Sequence, residues 1–407
     1  MRAHERFLNY ITYDTQSEES SDTVPSTAGQ LALAKALLEE LRGLGAKEPK
    51  LDKNGYVYAT IPASPGSEQR PVLALVAHMD TAPDASGKNV QARIVEDYDG
   101  CDLLLNREKQ IVTRVSEFPE LKKYVGCDLI VTDGNTLLGA DDKAGVAEIM
   151  TAAEQLFKNP ALPHPEVRIV FTPDEEIGRG VTHIDMEEVH AAYGYTVDGE
   201  EIGELCYENF NAASAKLHFS GVCVHPGAAF GIMRNAALVA MEFQSMLPVF
   251  ENPAATIGRM GFFHLTHMEG RMEEASLSYI LRDHDAKKLE QRKELMRKAV
   301  AYLNEKYGAG AVTLELTDSY KNMYQQIVPN HEELIENARA AIREAGVTPI
   351  ETPIRGGTDG AVLSFMGLPC PNLGTGGHAC HGCHEFIPIQ SMDKAVEILL
   401  HLLRHFA

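Results

Sequence analysis

Four clusters of metal-competent side chains recur along this chain. His78 closes the apolar run VLALVA and is followed by Asp80; Asp141 and Asp142 lie in LLGADDKAG; Asp174, Glu175 and Glu176 follow VFTP; Asp198 follows GYTV. Taken singly, a His-x-Asp is commonly a satisfied polar pair, DDKAG a helix cap whose acids complement the helix dipole, and DEE a solvated turn. Four together are hard to assign to capping, because carboxylates converging in a low-dielectric cleft repel one another unless a cation neutralises them. Imidazole mixed with carboxylate suits zinc or a similar first-row divalent ion, whereas calcium or magnesium would draw almost entirely on oxygen. Several carboxylates with one or two histidines are enough for two ions sharing a bridging carboxylate, about 3.5 to 4 Å apart, a recurrent hydrolytic device.

A fifth stretch, GGHACHGCHEF, contains Cys380-His381-Gly382-Cys383-His384. It fits the pattern of covalent haem attachment, a redox C-x-x-C, or part of a zinc knuckle. The haem reading needs export, for which the chain shows no signal. The redox reading needs a helix opening after a strand, whereas here a glycine-rich loop runs into Glu385, Phe386 and Pro388.

The elements that must position these residues follow from periodicity. A helix is predicted over 26–42, strands over 56–63 and 71–80, a helix over 144–157, and strands over 167–176 and 194–200. Strands alternating with helices imply an α/β layered domain, whose ligands bind beyond the carboxyl ends of the strands. From about 212 the order becomes strand 213–221, helix 231–247, strands 261–268 and 275–283, helix 286–306 and strand 312–319. This βαββαβ pattern is ferredoxin-like and complete in itself. Helices 331–345, 359–366 and 391–405 then complete the first domain. The expected division is 1–208 with 322–407, interrupted by an inserted domain over 209–321.

Composition bounds the remainder. The 407 residues suit two domains, and a formal charge of -21, from 37 basic against 58 acidic side chains, would repel nucleic acid and anionic membrane surfaces. The opening MRAHERFLNYITYDTQSEES is charged and polar where a secretory leader is apolar, and no run of about 18 apolar residues occurs. Seven scattered cysteines do not form a disulfide framework. A soluble cytoplasmic protein is expected.

The motifs H-M-D-T, L-L-G-A-D-D-K-A-G, T-P-D-E-E-I-G, Y-T-V-D-G-E, V-H-P-G, I-R-G-G-T-D-G-A and H-G-x-H-E-F stand here in order. In this the chain resembles, over nearly its whole length, the aminotripeptidase branch of the dizinc metallopeptidases, a family that also includes carboxypeptidase G-like and succinyl-diaminopimelate desuccinylase-like enzymes. The resemblance implies a dizinc exopeptidase-like catalytic domain with an inserted ferredoxin-like lid or dimerisation domain, and release of the N-terminal residue from tripeptides. It implies that Asp141 bridges two zinc ions, replaceable by cobalt or manganese. His78 and Asp198 would complete one site, and Glu176 and His381 the other. Glu175 would be the general base and Asp80 would orient His78. Adjacent in extended backbone, Glu175 and Glu176 would point different ways, one to substrate and one to metal.

The same resemblance points to His225 as a donor to the developing oxyanion, and to Arg355 and Arg282 at the substrate carboxylate. An inserted lid that closes over the substrate would measure peptide length and exclude water. By analogy with other ferredoxin-like insertions, two chains could pair across an exposed sheet edge or helix face. The competing readings are a dizinc dipeptidase or N-acyl amino acid amidohydrolase with identical metal residues, and, from another class, a redox or haem carrier built on Cys380 and Cys383. The family does not require cysteine at those two positions, so in the dizinc reading they are small, partly buried side chains that could add a weak metal site or a point of oxidation.

Overall fold

A computed structural model describes residues 1–407. The chain divides into two compact units. Unit 1 comprises Met1–Tyr207, Met323–Thr352 and Thr358–Ala407, and unit 2 comprises Glu208–Asn322 with Pro353–Gly357.

Unit 1 is built on a seven-stranded sheet in the spatial order Lys47–Leu51, Val57–Ile61, Val167–Thr172, Leu73–His78, Tyr193–Gly199, Asn372–Gly374, Leu205–Cys206. Its centre is parallel: Leu73–His78 pairs with both Val167–Thr172 and Tyr193–Gly199. All six residues of Leu73–His78 are buried, as a strand covered on both faces requires. On one face Ala74, Val76 and Val170 pack with Tyr56, Leu363 and Leu368. The helix Ala140–Lys158 packs against Leu73–His78 and Tyr193–Gly199, and the C-terminal helix Ile389–His405 packs against that helix in turn. A Cβ at Gly145 would lie 1.9 Å from the Val197 carbonyl, so only glycine lets the helix approach the Asp198 strand so closely.

Unit 2 is a four-stranded antiparallel sheet in the order Phe262–Gly270, Glu274–Asp283, Asn211–Ser220, Val312–Asp318. In Glu274–Asp283 alternate side chains are buried, and this face packs on the helices Ala236–Ser245 and Ala286–Tyr307 through Leu277, Tyr279, Leu281, Phe243 and Met296. Pro353–Gly357 joins this unit because Ile354 bridges Asn209 and accepts a contact from His284 Nε2 at 3.1 Å through its carbonyl.

Several elements differ from the sequence reading. The strand predicted to run to 176 stops at Thr172, because Asp174 adopts a left-handed conformation, φ 58°, and Glu175–Ile177 form a 3₁₀ turn. The Glu175 and Glu176 backbone is therefore not extended; a 3₁₀ turn separates successive side chains by about 120° and so still diverges them. The helix predicted from 231 begins at Ala236, where Asn235 caps it by accepting the Leu238 N–H. The segment 93–131 holds short strands that pattern did not reveal: Arg93–Val95 and Leu129–Val131 join Phe386–Pro388 in a three-stranded sheet, and Leu103–Asn106 pairs with Ile111–Thr113. Strands of three or four residues are too short to establish an alternation. No helix is long and apolar enough to cross a membrane.

Candidate metal centre

The parallel register sets the site. His78 stands opposite Thr172, just before the DEE turn, and Val76 stands opposite Thr196, which brings His78 and Asp198 level at the carboxyl edge of the sheet. Asp141 enters from the neighbouring helix. Asp141 and Asp142 have non-helical backbone angles, so regular helix begins after them and both carboxylates turn inward.

Two ligand groups result, and they share Asp141. His78, Asp141 and Asp198 form one, and Asp141, Glu176 and His381 form the other, each with its donor atoms within 4.8 Å of one another. Asp141 divides its carboxylate between them: Oδ1 lies 3.0 Å from His78 Nε2, and Oδ2 lies 3.2 Å from His381 Nε2. His78 Nε2 is also 3.4 Å from Asp198 Oδ1, and His381 Nε2 is 3.1 Å from Glu176 Oε2. The second oxygen of Glu176, Oε1, is buried without any hydrogen-bond partner. An orphaned carboxylate oxygen inside a protein is costly unless a cation takes it. The donor set, two imidazoles and three carboxylates with one bridging, therefore fits a pair of divalent ions.

Electrostatics point the same way. Burial disfavours charge on His78, yet the Asp198 charge and hydrogen bonds to Asp141, Asp198 and Asp80 raise its pKa well above the usual imidazole value. His381 is pushed up to about 11 by its bonds to Asp141 and Glu176. Burial alone would raise the Asp141 carboxyl, but His381 and His78 hold it well below its ordinary range. The imidazole nitrogens and carboxylate oxygens that attract one another here are the atoms for which a divalent cation would compete. Burial and the Asp141 charge push Glu176 up to about 7, and burial together with the Asp198 charge raises Glu175 well above its usual value.

Around these candidate ligands stand carboxylates that accept backbone N–H groups or nearby side-chain donors. Asp80, fully buried, lies 3.3 Å from His78 Nδ1 through Oδ1 and accepts the N–H groups of Glu175 at 3.0 Å and Glu176 at 3.2 Å. Asp142 accepts the His78 N–H at 3.0 Å and the Gly145 N–H at 3.2 Å. Asp174 accepts from the Ser26 N–H, the Ser26 hydroxyl and the Gln30 amide, at 2.8, 2.5 and 2.7 Å. Asp359 accepts the Thr172 hydroxyl at 2.9 Å and sits so close to Gly180 that a Cβ there would meet its Oδ1 at 2.2 Å. Glu385 accepts four N–H groups from Leu138 to Asp141. Of these five, sequence reasoning singled out only Asp80 for such a role. The available signal was a run of acids in strongly apolar surroundings, which does not say what each acid holds.

In the CHGCH stretch only His381 joins a ligand group. His384 Nδ1 lies 2.9 Å from the Thr113 hydroxyl, and its ring packs against Phe118. Cys380 and Cys383 are free thiols. Burial, reinforced by Asp141, Glu385, Glu200 and Glu176, raises the Cys380 pKa well above the usual thiol value, so this is not a thiolate poised for redox exchange.

The remaining predicted residues lie in unit 2. His225 is exposed, and its Nδ1 accepts the Gly227 N–H at 3.1 Å, which leaves the ring proton on Nε2. Arg282 donates to the Leu281 carbonyl at 3.0 Å and lies over the Tyr320 ring. Arg355 donates to the carbonyls of Gly258 and Met260 and to the Thr256 hydroxyl, and lies over Phe210 and Phe262. Neither arginine is paired with a carboxylate.

Comparison with known proteins adds three findings. The model of peptidase family M20/M25/M40 matches residues 132–405. The chain is 52% identical over 399 residues to peptidase T of Caldanaerobacter subterraneus subsp. tengcongensis, covering 98% of this chain and 97% of that one. Its fold is similar to the crystal structures of aminopeptidase PepT from Bacillus cereus (TM-score 0.78, 22% identity, 100% of this chain and 98% of that one) and of a tripeptidase from Staphylococcus aureus (0.77, 22%, 99% and 97%).

Proposed function

The chain belongs to peptidase family M20/M25/M40 and is a metallo-aminopeptidase acting on tripeptides; we propose that it works with two zinc ions, one held by His78, Asp141 and Asp198 and the other by Asp141, Glu176 and His381. The observation that carries this reading is the division of the Asp141 carboxylate, one oxygen to each histidine. Cobalt or manganese would be accepted by the same donors. Bound there, two dications would supply Lewis acidity toward the attacking water and the scissile carbonyl.

Glu175 is the general base in this reading. It must take a proton from the attacking water and deliver it to the departing amine, which needs a proton affinity nearer neutrality than that of an exposed carboxylate. Burial and the nearby Asp198 charge shift it in that direction. Asp80 keeps His78 and the Glu175–Glu176 turn in fixed relation.

Substrate recognition falls to unit 2 in the same proposal. His225 offers an outward Nε2–H as a donor to the developing oxyanion. Arg282 stands opposite Phe262 in the strand register, so both project from one face of the sheet, and Arg355 lies over that Phe262 ring. Two guanidiniums without carboxylate partners beside one aromatic side chain suit the carboxylate of a peptide. The exposed edge strand Phe262–Gly270 supports pairing of two chains as a homodimer, and a cytoplasmic location completes the reading.

The test is metal analysis of the purified protein together with rates on a panel of di-, tri- and tetrapeptides and N-acyl amino acids. Two zinc ions per chain and preference for free tripeptides are expected. One ion or none would overturn the dinuclear assignment, and preference for dipeptides or N-acyl amino acids would overturn the proposed substrate recognition.

A further inference from the structure

The loop that carries His381 has little regular structure to hold it. Ala379 and His381 both adopt left-handed backbone, φ 53° and 64°, and the loop is closed by a mutual pair of hydrogen bonds between His378 and Phe386. The opposite wall is Leu138–Asp141. Regular helix begins only after Asp142, so the N–H groups of these residues fall outside the helical ladder, in buried surroundings. Glu385, 1% exposed and next to the closing Phe386, spans the two. Its Oε2 accepts the N–H groups of Leu138 at 2.6 Å and Gly139 at 2.8 Å, and its Oε1 those of Ala140 at 2.7 Å and Asp141 at 3.2 Å.

We infer that Glu385 is a positioning residue that sets the Asp141 carboxylate against the His381 ring, and so determines how tightly the ion they share is held. This rests on the ligand assignment proposed above. The chemistry is specific to a carboxylate. Four converging N–H donors need two acceptor oxygens, and an amide in the same place would aim its own NH₂ at one pair of them. Aspartate keeps the charge but is one methylene shorter and cannot reach both halves of the clamp from the same backbone.

The experiment compares E385Q and E385D with His381→Ala and with Leu33→Ala, a buried substitution in the helix Ala28–Leu44 that serves as a control for lost stability. Each protein is stripped and titrated with zinc against a chromophoric chelator, the visible spectrum of the Co(II) form is recorded, and Tm is measured for the metal-free form. For E385Q one ion should bind ten- to a hundredfold more weakly, the usual range for lost support of a ligand, with a changed cobalt spectrum. Leu33→Ala should lower Tm and move neither. If E385Q does not accumulate folded, E385D carries the test with the same expectation. Wild-type zinc affinity and cobalt spectrum in the glutamate variant, with His381→Ala losing an ion, would overturn this inference and leave the ligand assignment standing. If His381→Ala keeps both ions at wild-type affinity, the ligand assignment fails and this inference with it.

Discussion

Oδ1 of Asp80 accepts the backbone N–H of Glu175 at 3.0 Å and also lies 3.3 Å from His78 Nδ1. One buried carboxylate thus ties a proposed metal ligand to the proposed general base, so a change at Asp80 disturbs both. Asp80→Asn should lower kcat about 10- to 100-fold while most of the metal remains, since one oxygen becomes a donor facing an N–H. Steady-state kinetics with metal analysis on the same sample check it, and unchanged kcat would refute the link.

Glu175→Gln should keep both ions and lose about 10²- to 10⁴-fold in kcat, the usual contribution of a positioned proton-transfer group. Single-turnover rates at saturating tripeptide are the measurement. Near-normal turnover would remove Glu175 from the mechanism.

The CHGCH stretch contains two histidines with different surroundings. His381→Ala should lower bound metal, because His381 Nε2 is shared with Asp141 and Glu176. His384→Ala should leave it nearly unchanged, because that ring pairs with Thr113 and Phe118. Metal content after dialysis against a weak chelator ranks the two, and the opposite ranking would contradict the ligand assignment.

His378 should contribute to acid lability. Burial lowers its pKa from 6.5 to about 4, and the neutral ring pairs with the Tyr124 hydroxyl at 2.6 Å through Nε2. The unfolded chain takes up the proton first as pH falls. Stability present above about 6.5 is therefore lost progressively toward pH 4, by at most about 1.4 kcal/mol per unit. His378→Gln should flatten that limb of the stability curve in denaturant titrations between those pH values.

Arg282→Lys and Arg355→Lys should each raise KM for tripeptides about tenfold or more, since an ammonium cannot form the two parallel bonds of a guanidinium. The same substitutions should hardly alter KM for the corresponding tripeptide amides, which lack the carboxylate. Equal effects on both substrates would show that these arginines only hold unit 2 together.

Much of the site was legible before any coordinates. His78, Asp141, Glu175, Glu176 and Asp198 each follow an apolar strand or open a helix, and parallel strands deliver their carboxyl ends to one edge. The α/β layering and the βαββαβ order were readable for the same reason: periods of 2 and 3.6 persist over long segments such as Glu274–Asp283 and Ala286–Tyr307. The short strands between 93 and 131 carry too few residues to show a period. The DEE backbone was misread as extended because a left-handed Asp174 is stabilised by Ser26 and Gln30, about 145 positions away in the chain.

Residue types and their order along the chain therefore determined which groups could bind metal and that they belong to one sheet edge. Only the tertiary structure decided how the Asp141 carboxylate divides, one oxygen toward each of two histidines separated by 303 residues, and that Glu385, Asp80 and Asp142 direct carboxylate oxygens to backbone N–H groups. The physical reason is that apolar periodicity records burial along a local element, whereas hydrogen bonds between distant loops depend on where those loops meet.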